Sequence, residues 1–226
     1  MYRYLSGAIQ NNYVTLFPES LNMITDNKKP FHVCYHGMAE SIPSSYGAEM
    51  PISRTHMLAK LDDAYTVFFD RKNADPSTPF LASCYAFHSA DECFVLSRKV
   101  KLWRAEINEF VYIFSLEELN AEFYETCRQR ALALGMQEIH PHLEHRSSFI
   151  TAVFLCDHVQ EDAAHAVRTT RHHKDFLFSL HGWMDFRAAA LDLGTGIVTV
   201  NRAGQDLSEF LRGNMGKCSL MEEEIQ

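Results

Sequence analysis

The run FITAVFLC, Phe149 to Cys156, carries no charge and only one hydroxyl group. A strand with one wet face alternates apolar and polar residues, and this one does not. An uninterrupted apolar strand is buried on both faces, as in a parallel sheet covered by helices. The run therefore demands sheet neighbours on its edges and helical layers on its faces.

The flanking segments supply both. FLASCYAF, ECFVLSRKVKLW and EFVYIF are rich in aromatic and β-branched residues and read as three strands, with HSAD as the turn between the first two. Ser115 and Glu118 match the S-x-x-E capping box. A helix is expected after them, with Leu116, Leu119, Phe123, Cys127, Ala131 and Leu134 as its buried stripe and Gly135 as its stop. Beyond FITAVFLC, Asp157 can cap a second helix bearing Val159, Ala163 and Val167. FLFSL, DFRAAALDL and IVTVN then read as strands, and a last helix presents Leu207, Phe210 and Leu211.

The expected order from Phe80 is βββ-α-β-α-βββ-α, an α/β or α+β fold with a mixed sheet of about six to seven strands covered by helices. Residues 1–78 hold turn-rich stretches and one short helix near Thr55 to Tyr65, and read as an irregular arm or small subdomain. Residues 79–214 form the expected core, and residues 215–226 an acidic, frayed tail. A chain of 226 residues can bury such a core without disulfides or metals.

Charge and cysteine usage narrow the function classes. A net charge of −8 argues against non-specific nucleic-acid binding, which needs clustered Lys and Arg. Six cysteines without a C-x-x-C pair, several inside apolar runs, read as small buried hydrophobes of a reducing compartment. The start lacks a signal-peptide pattern and no apolar run approaches a membrane span, so a cytoplasmic location without membrane contact is expected.

Two stretches can carry chemistry. HPHLEH places His140, His142, Glu144 and His145 within six positions. Neutral imidazoles and a carboxylate suit a divalent metal such as zinc or iron, which would make hydroxide available for hydrolysis. The spacing resembles the H-x-H-x-D-H motif of the metallo-β-lactamase superfamily. That resemblance implies metal binding but covers only these six residues. Glu144 stands where that family has Asp, no G-H-T follows, and the family is not carried over. In SLHGWMDFR, His181, Trp183, Asp185 and Arg187 alternate across an expected hairpin. The last three share one strand face, where a Trp beside His, Asp and Arg suits a planar or anionic ligand.

Weaker signals complete the reading. RTTRHHKDF is a small basic cluster at an expected helix end, where it complements the helix dipole. Asp70-x-Lys72, with Asp62 and Asp63 upstream, resembles the PD-(D/E)-x-K nucleases, whose αβββαβ order also fits. Glu106 and Glu109 lack the lysine that motif requires. Cys34 near His36 is too local for a catalytic pair. The reading is a binding protein, whose partner is a small molecule or another copy of itself. A metal-dependent hydrolase on HPHLEH is the alternative, and a nuclease-like fold without a complete site the remote one.

Overall fold

The computed structural model describes residues 52–94 and 101–222, together with the short strands β1 (Asn22–Ile24) and β2 (His32–Cys34). Two compact units divide the chain at Ser45/Tyr46. In the first, β1 and β2 pair antiparallel, with Met23 opposite Val33. The Cys34–His36 reading falls outside the described side chains.

The second unit is an α+β fold with a mixed sheet. Its elements are α1 (Arg54–Thr66), β3 (Asp70–Lys72), β4 (Leu81–Phe94), β5 (Lys101–Leu119), α2 (Ala121–Glu138) and β6 (His145–Val159), then α3 (Glu161–Thr169), β7 (His173–Asp175), β8 (Trp183–Asp192), β9 (Val198–Val200) and α4 (Gln205–Glu222). The strand order is β3-β4-β5-β6-β8-β7, with β9 also on β8. Strands β5, β6 and β8 run parallel, and the others join antiparallel.

The parallel strand that FITAVFLC demanded is β6, between β5 and β8. Its even-numbered residues Ile150, Ala152, Phe154 and Cys156 join Phe110, Tyr112, Phe114, Met184, Phe186 and Ala188 in one cluster beneath α2 and α3. The odd-numbered face is covered by α1 and α4, where Tyr65 stacks on Tyr85 and meets Phe210 edge-on. Burial of three parallel strands on both faces is the main apolar stabilisation of the unit.

Several local expectations shift. The capping box does not start α2, because Ser115 to Leu119 stay in β5 and pair with Leu155 to Val159 of β6. Extending a fully buried ladder outweighs an early helix start, and Asn120 caps instead, its side chain accepting from the Phe123 N–H at 2.8 Å. Gly135 does not end the helix. A Cβ there would stand 2.7 Å from Ile150 Cδ1, so this glycine lets α2 lie close on β6. Likewise β6 runs to Val159, and Gln160, not Asp157, precedes α3.

HSAD is not a turn, since His88 and Asp91 pair with Asn108 and Ala105 inside a long β4–β5 hairpin. Residues 95–100, the middle of the second expected strand, lie outside the described residues; its first residues end β4 and its last begin β5. Only the approach to FLFSL is extended, because β7 stops at Asp175 and a tight turn follows. The helix over the acidic tail continues to Glu222. The boundary expected at Thr78 falls instead after Ser45, because α1 and β3 belong to the layers of the sheet unit.

One side chain completes the sheet. Asn201 sits beside β8 between β7 and β9, accepts from the Ala188 N–H at 3.0 Å and donates to the Phe186 carbonyl at 2.9 Å. A buried strand edge must satisfy its polar groups, and an amide side chain does so in place of a further strand.

Candidate functional site

The HPHLEH loop joins α2 to the amino end of β6, the opposite end from the one where ligands bind in open α/β sheets. Each imidazole is committed. His140 Nδ1 donates to the Glu138 carbonyl at 2.9 Å. His142 donates from Nε2 to Glu106 at 2.9 Å and accepts the Glu144 N–H at Nδ1, which fixes its tautomer. His145 is buried, donates from Nδ1 to the His181 carbonyl at 2.6 Å and accepts from the Ser148 hydroxyl at Nε2. Among the described residues no three His, Cys, Asp or Glu side chains gather as a metal ion would require. The loop is built from hydrogen bonds that tie it to β5, β6 and the β7–β8 turn.

Burial of His145 holds its pKa below the ordinary 6.5, against the hydrogen bond to His181 and the pull of Glu106, while His142 and His181 push it further down. Its neutral form is therefore the folded form. As pH falls below about 6.5 the unfolded chain takes up the proton and the folded chain resists it, so stability is lost on acidification. The Tm gap between wild type and His145→Gln should narrow as pH is lowered from neutrality through this window. A constant gap in a thermal melt series would remove His145 as the cause.

His145 and Ser148 form a hydroxyl–imidazole pair, but Ser148 has no solvent exposure. A nucleophile needs access, so the pair is structural in this conformation. The described cysteines are equally unsuited: burial pushes the Cys127 and Cys156 thiols up to about 12 and raises that of Cys84.

The second stretch is arranged differently. Trp183, Asp185 and Arg187 project from one face of β8, the face covered by α1 and α4, while His181 lies in the preceding turn and contributes its carbonyl to His145. The register sets Thr151 beside Arg187 and Phe149 beside Asp185, with Glu109 beyond Phe149 on β5. Arg187 is buried, and its guanidinium carbon lies 3.7 Å from the centre of the Phe149 ring. Its Nη1 reaches Glu109 at 3.5 Å and Asp206 of α4 at 3.3 Å, and Glu109 accepts from the Thr151 hydroxyl at 2.7 Å. Among the described residues Arg187 Nε has no hydrogen-bond partner.

Next to this cluster Trp183 packs edge-on against Phe149 and tilts over His173, with ring centres 5.5 and 5.9 Å apart. His173 donates to Asp185 at 2.7 Å and lies 3.3 Å from Asp175. The Asp185 hydrogen bond raises its pKa above the ordinary value. The patch is thus an aromatic floor with one buried guanidinium, the imidazole of His173 and the carboxylates of Glu109, Asp185 and Asp206.

Residues 53–213 match the family described as a domain of unknown function (DUF8052). The chain belongs to this family. The DUF8052 region runs from the cap of α1 into α4, so it contains the whole seven-stranded sheet and the patch on β8. No curated protein and no solved structure gives a significant match. No helix of the described DUF8052 chain is long and apolar enough to cross a membrane.

Sequence reasoning did not find Phe149, Thr151, Asp206 or Ser148 as members of either cluster. Glu109 left a signal, a carboxylate inside the apolar strand EFVYIF. His173 was legible only as part of a basic cluster, because β7 and β8 had to pair before Asp185 could face it. The acidic groups of the nuclease reading are engaged elsewhere: Asp62 accepts from Tyr85 and, at 2.8 Å, from Arg71. Asp70 and Lys72 lie on the exposed edge strand β3.

Proposed function

We propose that this DUF8052 protein is a small-molecule-binding protein whose site is the β8 patch of Trp183, Asp185 and Arg187 with Phe149 and Glu109. The observation that carries this reading is Arg187, buried with an idle Nε and ion pairs of 3.3 and 3.5 Å. Strong charge-assisted contacts are about 2.7–2.9 Å. A guanidinium held loosely in a buried place has been desolvated without full return, which is a feature of binding sites more than of cores.

The chemistry selects the ligand class. An acceptor atom would take the Nε–H, a donor would serve Glu109 or Asp206, and a flat ring suits the half-buried Trp183. Glu109, Asp185 and Asp206 stand beside Arg187 and His173, so the site offers donors and acceptors together rather than a concentration of positive charge for an anion. The fitting ligand is a neutral or cationic planar heterocycle with both donor and acceptor edges.

The test is fluorescence titration of the Trp103→Phe protein, which leaves Trp183 as reporter, with nucleobases, nucleosides and heteroaromatic amines. A saturable change that Arg187→Met weakens at least about tenfold is expected, the size of one lost charged hydrogen bond. A flat response to every compound removes the proposal.

A further inference from the structure

The turn after β7 is built against the preferences of its residues. Leu177, Phe178 and Ser179 hold φ values of 49°, 52° and 63° in succession. That left-handed region costs a side-chain-bearing residue roughly 1–2 kcal/mol each. The turn is nonetheless fixed. Leu180 N–H donates to the Leu177 carbonyl at 3.0 Å, His181 N–H to Phe176 at 3.1 Å and Gly182 N–H to Ser179 at 3.2 Å. The Ser179 hydroxyl also donates to Asp175.

This strained frame holds apolar side chains out into solvent. Phe178 is 94% exposed, with Leu177 and Leu180 beside it in the chain more than half exposed. Next to the turn opens a cleft of about 520 Å³, lined by Ala105, Leu143, Glu144, Arg146, Ser179 and Trp183 among others. Leu143 on its rim is 83% exposed. Ser179 follows Phe178 directly and lines the cleft, so an apolar projection and a recess of ring-accepting size stand side by side on one surface.

That pairing is what a two-fold interface requires, since a two-fold axis brings the same patch of both copies together. The rim adds charge complementarity, with Glu144 and Arg146 of opposite sign flanking the same recess. We propose that this surface is a homodimer interface in which Phe178 of each copy enters the cleft of the other and Glu144 of each faces Arg146 of the other. A second copy fits better than a lipid surface, because it supplies both the apolar projection and the recess that receives it, and a lipid surface has no recess.

Sedimentation velocity over a concentration series decides it. The full chain should dimerise in the micromolar range, and Phe178→Asp should raise the dissociation constant at least about thirtyfold, the size of a hot-spot loss. Phe178 is exposed, so the variant should keep the wild-type circular dichroism and Tm. Arg146→Glu should weaken the dimer, and adding Glu144→Arg should restore it. A wild-type chain that is monomeric up to about 200 µM overturns the proposal, as that limit is weaker than about −5 kcal/mol of association. So does a dimer indifferent to Phe178→Asp, or a charge exchange that restores nothing. Co-sedimentation of a monomeric wild type with vesicles of equal parts phosphatidylserine and phosphatidylcholine, lost in Phe178→Asp, would overturn it in favour of membrane contact. Arg187→Met leaves Phe178, Leu143 and Arg146 in place, and because Trp183 lines both places the dimer is read by sedimentation and not by Trp183 fluorescence, which keeps failure of the ligand site and failure of the dimer separate results.

Discussion

Gly182→Ala is expected to destabilise the protein by roughly 2–5 kcal/mol, from the sum of a left-handed side chain and an overpacked contact. Gly182 has φ +74°, and a Cβ on it would lie 2.5 Å from the Arg146 carbonyl oxygen and 2.7 Å from both the carbonyl oxygen and Nδ1 of His145. Two of those atoms are backbone of β6 and cannot move without shifting a central strand. The third belongs to the imidazole that ties the HPHLEH loop to the β7–β8 turn. One methyl group therefore strains the turn, the start of β6 and the buried histidine together. At roughly 2–4 °C per kcal/mol for a chain of this size, Tm should fall by about 5–20 °C. A calorimetric Tm within about 2 °C of wild type would show that turn and strand yield freely, since that corresponds to less than about 1 kcal/mol. An Ala substitution at Gly196, where φ is also positive but no atom lies within 4 Å, isolates the backbone share of the loss.

Arg187→Met is the second large effect. Methionine keeps the apolar contact with Phe149 and removes the charge, leaving Glu109 and Asp206 without their guanidinium. Breaking a fully buried ion pair costs about 3–5 kcal/mol, and the partial exposure of these two carboxylates lowers the expected loss to about 2–4 kcal/mol. The Arg187 side chain is 4% exposed against 17% for Glu109 and 23% for Asp206, so the loss comes mainly from two partly buried carboxylates that lose their guanidinium. Adding Glu109→Leu should recover a large part of it, and urea unfolding of the two single variants and the double gives the coupling directly. Additive losses would mean that the 3.5 Å contact carries no interaction of its own. Recovered stability together with lost ligand response would separate the two roles of Arg187. The cluster would then be dispensable for folding and needed for binding, as expected where a site retains polar groups that a core would replace.

Much of this architecture is legible along the chain because it follows from local pattern. FITAVFLC requires two neighbours and two covers whatever surrounds it, and β6 has them. EFVYIF and DFRAAALDL are its parallel partners in β5 and β8, and Leu207, Phe210 and Leu211 are buried on α4 as their spacing implies. Element ends were less legible. Ser115 and Glu118 form a valid cap in isolation, and only the partner strand β6 turns that segment into ladder.

The sites divide along the same line. That Trp183, Asp185 and Arg187 share a face follows from the two-residue period of a strand, which is covalent geometry and needs no tertiary information. What stands opposite them does not follow. Glu109, Thr151, Phe149 and Asp206 come from three other elements, and their convergence on Arg187 depends on the register of β5 with β6, of β6 with β8, and on the placing of α4. At HPHLEH, proximity in sequence does not by itself bring ligands together, for the complementary reason. Six neighbouring residues can offer a metal its ligands only if the backbone turns their nitrogens toward one point. Glu106 of β5 and the His181 carbonyl, both 36 residues from their imidazoles, take nitrogens of His142 and His145, and Ser148 on β6 takes the other nitrogen of His145. Composition and periodicity determined which faces of this protein are buried, because burial is set residue by residue. Which polar groups meet was decided by the packing of strands and helices, because a hydrogen bond is a property of two positions and the sequence orders only one of them at a time.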